Sequence, residues 1–86
     1  MKPLQDWQDS LNATHGWQED RVLKTLGSPR TVIRKTDDRA KAFAGYLPIP
    51  SQAVTNKVLV YSHLNYHGYL FINPKGIVEY VEFGGT

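Results

Sequence analysis

The chain has 86 residues, 41% of them hydrophobic and 21% charged, which suits one globular domain over residues 1–86 and is too short for two. It contains no cysteine, so disulfides, thiolate catalysis and cysteine-bound metal clusters are excluded. The net charge is +2, and no stretch resembles a signal peptide or the roughly 20 apolar residues of a membrane span, so we expect a soluble, cytoplasmic protein unless a leader has been removed.

The first predicted helix covers residues 3–14. Leu4, Trp7 and Leu11 recur at helical spacing and form one apolar stripe. Glycine readily adopts the left-handed conformation that ends helices, so Gly16 is the predicted stop.

A second helix is predicted over residues 18–26. Its buried face is expected to consist of Val22, Leu23 and Leu26, and Gly27 is the predicted stop. The two helices therefore offer apolar faces that a sheet can cover.

The remaining residues predict an antiparallel sheet of three to four strands. The candidate strands are rich in β-branched and aromatic residues and comprise 31–34, 57–62, 69–72 and 77–83. Turns are predicted at 65–68 and at 73–76, where Asn, Pro and Gly occupy favoured turn positions.

Strict alternation in the last strand would place Ile77, Glu79, Val81 and Phe83 on one face and Val78, Tyr80 and Glu82 on the other. We expect the helices to cover the face that carries Val81 and Phe83, with Tyr80 toward solvent, although the opposite assignment remains open. Segment 39–45 is compatible with a helical turn or a loop, and 46–50, with two prolines, predicts a surface loop or a sheet edge.

Segment 16–29 resembles the Gly-Met-Thr…Val…Leu-Gly-x-Pro segment of the SmpA/OmlA (BamE) family of small outer-membrane lipoproteins. The positions that match the family's spacing are Gly16, Val22, Leu26, Gly27 and Pro29. The resemblance implies two helices followed by a three-stranded antiparallel sheet, an architecture that the β-lactamase inhibitory protein shares, and a scaffold used to bind proteins. The chain lacks the family's lipidated cysteine, and Gln18 replaces its capping threonine, so membrane anchoring is not implied.

No catalytic residue, metal ligand or cofactor is predicted. His63 and His67 are four residues apart, a spacing that can bind zinc on a helix, but here they flank a strand–turn–strand junction and are expected to face each other across a hairpin. The carboxylate pairs Asp37/Asp38 and Glu79/Glu82 do not form a convincing acid–base dyad, so we expect a protein without enzymatic activity.

Tyrosine and histidine side chains concentrate on the predicted hairpins, and tyrosine is enriched at protein interfaces. The predicted binding residues are Tyr61, His63, Tyr66, His67, Tyr69 and Tyr80, with Arg34, Lys35 and Arg39 as an electrostatic rim. The sequence therefore predicts a protein-binding module, a monomer or homodimer, whose partner protein it does not identify. The alternative is a nucleic-acid-binding protein that uses the basic segment 21–41.

Overall fold

Two helices precede four strands in the computed structural model, which describes residues 4–37 and 54–85. The elements are α1 (Leu4–Asn12), α2 (Glu19–Leu26), β1 (Thr31–Arg34), β2 (Lys57–His63), β3 (Tyr66–Ile72) and β4 (Val78–Gly85). The strands form one antiparallel sheet in the order β1-β2-β3-β4. The predicted α+β class, two N-terminal helices on an antiparallel sheet, is therefore confirmed, with four strands. The predictions for 39–50 lie outside the described residues.

Glycines with a positive φ lie at both predicted stops, but only α2 ends directly at its glycine, since α1 ends at Asn12 and turn residues 13–16 follow it. Gly16 has φ +88° and Gly27 has φ +80°. The Gly27 N–H donates to the Leu23 carbonyl oxygen at 3.0 Å, which satisfies one of the last carbonyls of α2.

The connection between the helices pairs with the outer edge of β4. The Gly16 N–H donates to the Val78 carbonyl at 2.8 Å, and the Val78 N–H donates to the Trp17 carbonyl at 2.9 Å. A β-bridge between Gln18 and Ile77 continues this contact. These bonds fix the start of α2 against the sheet.

One apolar core lies between the helices and the sheet. Leu11 and Val22 are buried there against Leu59 and Leu70, and Leu26 is partly buried beside them. The prediction that Leu23 belongs to the buried face is wrong, because its side chain is 37% exposed. At about 100° per residue, Leu26 lies about 40° from Val22 around the helix and Leu23 about 100°, so Leu23 is at the rim of the buried face.

A β-bulge in β4 changes the predicted alternation. Phe71 pairs with Tyr80 and Ile72 pairs with Val78, so Glu79 is an extra residue. Val78 consequently lies in the same core as Val81 and Phe83, not on the opposite face as strict alternation predicted. The helices do cover Val81 and Phe83, and Tyr80 is 45% exposed, as expected.

The opposite face of the central strands is also apolar and buried. Its cluster comprises Ile33, Val58, Val60, Tyr69 and Phe71, with Val54 packed against it. Burial on both faces explains why β2 and β3 have continuous apolar runs instead of alternation.

Both hairpin turns are tight. The β2–β3 loop consists of Leu64 and Asn65, because His63 pairs with Tyr66, so the turn predicted at 65–68 is displaced and β3 begins earlier. The turn at 73–76 is confirmed: the Asn73 side-chain oxygen accepts hydrogen bonds from the backbone N–H groups of Lys75 at 2.9 Å and Ile77 at 3.1 Å.

Candidate binding surface at the β2–β3 hairpin

The six predicted tyrosine and histidine residues are divided between the two faces of the sheet. Side chains alternate along a strand, and paired residues share a face. Tyr61, His63 and Tyr66 therefore lie on the helix-covered face, whereas His67, Tyr69 and Tyr80 lie on the other. The predicted single Tyr/His-lined face does not form.

Three of these residues belong to the protein interior. Tyr61 is 8% exposed, His67 is 2% exposed and Tyr69 is 1% exposed. The Tyr61 hydroxyl donates to the carbonyl oxygen of Gly27 at 2.8 Å, which links β2 to the end of α2. Burial, and to a smaller extent the negative charge of Glu19, raises the pKa of the Tyr61 hydroxyl. A rigid partner can touch little of these three rings, so they stabilise the fold.

His67 forms a polar contact across the hairpin. Its Nδ1 lies 2.8 Å from the hydroxyl oxygen of Ser62, its cross-strand partner, and the Arg30 guanidinium donates to that hydroxyl at 3.4 Å. Burial, and secondarily the charge of Arg30, lowers the pKa of His67, so the neutral ring can accept the Ser62 proton. Because His67 is buried and Ser62 is its cross-strand partner, we interpret the pair as a structural hydrogen bond across the hairpin.

His63 lies on the other side of the sheet and packs against α1. Its ring stacks on Trp7 with centroids 5.5 Å apart and an interplanar angle of 25°, and Trp7 meets Phe83 edge to face at 5.7 Å. His63 and His67 are thus separated by the sheet, contrary to the expectation that they face each other. No group of three metal-ligating side chains occurs in the part of the chain that the structure describes.

The tip of the hairpin exposes apolar and aromatic groups together. Leu64 is 73% exposed, and Tyr66, which pairs with His63, is 41% exposed. We call the four residues Trp7, His63, Leu64 and Tyr66 the tip surface. It combines a convex loop with a stacked aromatic pair at its base.

Leu64 also has an unusual backbone conformation. Its φ is +56°, the only positive φ of a non-glycine residue within residues 4–37 and 54–85. Two-residue hairpin loops often need a positive φ, and Gly or Asn normally supplies it. A leucine in a left-handed conformation costs about 1–2 kcal/mol. The loop thus retains an exposed leucine despite unfavourable sterics.

The predicted basic rim does not border the tip surface. Arg34 pairs with Lys57 at the far end of β2, about 20 Å from His63 at strand spacing, and Lys35 follows directly. Both are exposed, and Arg39 lies outside the described residues. Charge steering at the tip surface therefore cannot depend on a direct rim of Arg34 and Lys35.

Sequence reasoning missed Trp7 and Leu64 as surface candidates. Trp7 belongs to the predicted apolar stripe of the first helix, and spacing alone does not reveal that the stripe ends over a hairpin. Leu64 did have a signal, because it is an apolar residue between the end of the strand predicted at 57–62 and the turn predicted at 65–68, where polar residues are usual.

No helix among the described residues is both long and apolar enough to cross a membrane.

Comparison with known proteins identifies no relative. No family model, no curated protein and no solved structure matches the chain.

Proposed function

We propose that the chain is a non-enzymatic protein-binding module that engages its partner through the tip surface. The observation that carries the proposal is Leu64, whose side chain is 73% exposed and whose φ is +56°. A residue that is unfavourable both in exposure and in backbone conformation is better explained by recognition than by folding.

The shape of the tip surface defines the complementary partner surface. A two-residue hairpin loop is convex, so the partner must offer an apolar pocket that receives Leu64, with room for the ring of Tyr66 beside it. Full burial of a leucine side chain is worth about 1.5–3 kcal/mol. Tyrosine adds contact area with few rotatable bonds, which suits an interface anchor.

The rigid base of the loop supports binding. His63 stacks on Trp7, and Tyr66 pairs with His63 across the strands, so the loop is anchored in a sheet that contacts α1. A loop fixed before binding loses little conformational entropy on association.

The test is affinity capture of cellular proteins with wild-type and variant chains, followed by a binding titration with each captured protein. L64G removes the side chain while permitting the positive φ, so we expect partner binding to weaken at least tenfold without loss of stability. Y66S is expected to weaken the same interactions. Y80S is the matched control, because Tyr80 has a similar exposure, 45% against 41%, on the opposite face of the sheet.

Two results would refute the proposed site. The first is binding of every captured protein by L64G and Y66S with wild-type affinity. The second is an equal loss of binding for Y80S, which would indicate that exposed tyrosines contribute nonspecifically.

Nucleic-acid binding remains the second candidate, supported by charge. Between residues 21 and 35 the chain has no acidic residue and five exposed cations: Arg21, Lys24, Arg30, Arg34 and Lys35. This function predicts affinity for DNA or RNA that falls steeply with salt. Absence of gel retardation at low salt would exclude it.

We also propose that the scaffold is of the SmpA/OmlA type. Support comes from the two-helix start and from the positive φ of Gly16 and Gly27, two positions of the resemblance. The strand β1, between α2 and the three-stranded meander, is an addition to the architecture that the resemblance implies.

A further inference from the structure

The hydrogen-bonding phase of the sheet determines which backbone groups of β4 point outward. A two-residue loop is closed by a hydrogen-bonded pair, here His63 and Tyr66. Tyr66 and every second residue after it therefore direct their peptide groups toward β2, and the intervening residues of β3 direct theirs toward β4. The residues of β4 that receive these bonds are the partners of His67, Tyr69 and Phe71, namely Gly84, Glu82 and Tyr80.

Val81 and Phe83 consequently present their N–H and C=O groups to the outer edge of the sheet. Contacts at the start of β4 support the same phase: Val78 bonds outward to the inter-helix connection, and the carbonyl of the bulged Glu79 accepts a hydrogen bond from His15 Nε2 at 2.5 Å. Among the residues that the structure describes, these contacts cover the edge as far as the bulge and no further. Within residues 4–37 and 54–85, no bond is formed by the outward groups of Val81 or Phe83.

The side chains beside this open edge are apolar and aromatic. Val81 and Phe83 are half-buried under the helices, and Phe83 meets the half-buried Trp7 of α1. On the other face of the sheet, Tyr80 is exposed. An extended chain laid along the edge would therefore place alternate side chains against Trp7 and Phe83.

The same side of the molecule is acidic. The helix α1 contains Asp6 and Asp9, β4 contains Glu79 and Glu82, and neither element contains lysine or arginine. Of the exposed cations in segment 21–35, Arg21 stacks on Trp17 beside the covered start of β4, whereas Arg30, Arg34 and Lys35 lie in the region of β1, the strand at the opposite edge of the sheet. The open edge thus favours a cationic ligand.

We propose that residues 81–85 of β4 accept an extended segment of another protein as an added strand, and that this segment alternates apolar and basic side chains. Main-chain hydrogen bonds to Val81 and Phe83 supply affinity, and the acidic, aromatic surroundings select the side chains. This site is distinct from the proposed Leu64 contact and does not depend on it.

A second copy of the chain is a less suitable occupant in two of the registers open to it. Antiparallel pairing of two β4 strands centred on Glu82 places two carboxylates directly opposite each other, which is unfavourable. Pairing centred nearer the bulge is blocked, because the inter-helix connection already occupies the edge at Val78.

The probe is the acetylated and amidated peptide Lys-Val-Lys-Val-Lys-Val-Lys, titrated into the full chain and followed by amide hydrogen exchange in NMR spectra. We expect exchange of the Val81 and Phe83 amides to slow at least tenfold. The peptide Glu-Val-Glu-Val-Glu-Val-Glu, and a basic peptide with N-methyl groups on alternate residues facing β4, are expected to give no protection. Unchanged exchange with the basic peptide, or equal protection by the acidic one, would overturn the proposal.

The variant V81P removes the outward N–H of residue 81. The inward hydrogen bonds of Tyr80 and Glu82 to β3 are retained, because proline is tolerated on the edge of a sheet. We expect it to abolish peptide binding. V32P is the matched control, because Val32 also directs its N–H to an outer edge of the sheet. The Lys35 N–H donates inward to the Asn56 carbonyl at 2.8 Å, and Val32 is three residues before Lys35, so the peptide groups of Val32 point away from β2, toward the basic edge. V32P is expected to bind the peptide normally.

Three outcomes separate the explanations. If V81P does not fold, the N-methylated peptide still decides the question on the wild-type chain. If L64G binds the peptide normally, as we expect, strand addition is independent of the tip surface. If Val81 and Phe83 are already protected without peptide in a dimer detected by sedimentation, the edge is a contact between copies and the proposal is wrong.

Discussion

Gly68 allows α1 to lie directly on the sheet, and replacing it by alanine should disturb that contact. A Cβ atom at position 68 would lie 2.2 Å from Leu11 Cδ1, 3.4 Å from Phe83 Cε1 and 3.5 Å from Trp7 Cη2. Leu11 is 1% exposed, so its methyl group cannot move into solvent and must displace its neighbours or the helix.

The magnitude follows from this overlap. Relief requires a shift of about 1.2 Å to reach the 3.4 Å of ordinary contact. Overpacking of this kind costs about 1–3 kcal/mol. Alanine also lowers the conformational entropy of the unfolded chain relative to glycine, which stabilises the folded state by about 0.4–1 kcal/mol. With the middle of each range, we expect G68A to lower the free energy of unfolding by about 1.3 kcal/mol, which corresponds to a Tm decrease of about 5–10 °C.

A double-mutant cycle with L11A provides the decisive assay. L11A alone should destabilise by about 2–5 kcal/mol, because it leaves a cavity. In the double variant the methyl group of Ala at position 68 occupies part of that space, so urea denaturation should show a cost at least 1 kcal/mol smaller than the sum of the single variants. Strict additivity, or a G68A variant as stable as the wild type, would refute the close approach of α1 to β3.

Three further predictions concern polar contacts. Burial gives His67 a lower pKa in the folded chain than in the unfolded chain, so the unfolded chain binds a proton at a higher pH. The urea midpoint should therefore be highest above pH 6.5 and should fall as the pH drops below that value, and H67N should reduce this dependence of the midpoint on pH. The Lys57–Glu19 ion pair, 3.1 Å long with both side chains partly buried, should be worth about 0.5–1 kcal/mol in a cycle of E19Q and K57M, less in high salt. Y61F should lose the 2.8 Å bond to the Gly27 carbonyl and about 0.5–1.5 kcal/mol by thermal denaturation, and an unchanged Tm would contradict that bond.

Local signals in the sequence predicted much of the fold. Helical spacing of Trp7 and Leu11 located α1, and Gly27 located the end of α2, whereas α1 ends at Asn12, four residues before Gly16. The Asn-Pro-Lys-Gly turn located the β3–β4 hairpin. These features depend on residues within one or two turns of each other, so propensity and steric restriction suffice to predict them.

The candidate site was predicted only in part, because alternation of a strand does not say where a turn begins. The sequence predicts the β2–β3 turn at 65–68, whereas in the structure the loop consists of Leu64 and Asn65, and Tyr66 already belongs to β3. Tyr66 and Tyr69 lie an odd number of residues apart within β3, so alternation places them on opposite faces, and the proposed Tyr/His surface becomes two opposite sets.

Composition, local periodicity and turn residues by themselves determined the class of the fold and the order of its elements, whereas they left the covered face of β4 open. The tertiary structure alone decided the bulge at Glu79, the stacking of Trp7 on His63 and the outward direction of the Val81 and Phe83 peptide groups. Each of these depends on the register between segments distant in the chain, and register is set by the packing of the whole core against the sheet, which no local pattern encodes.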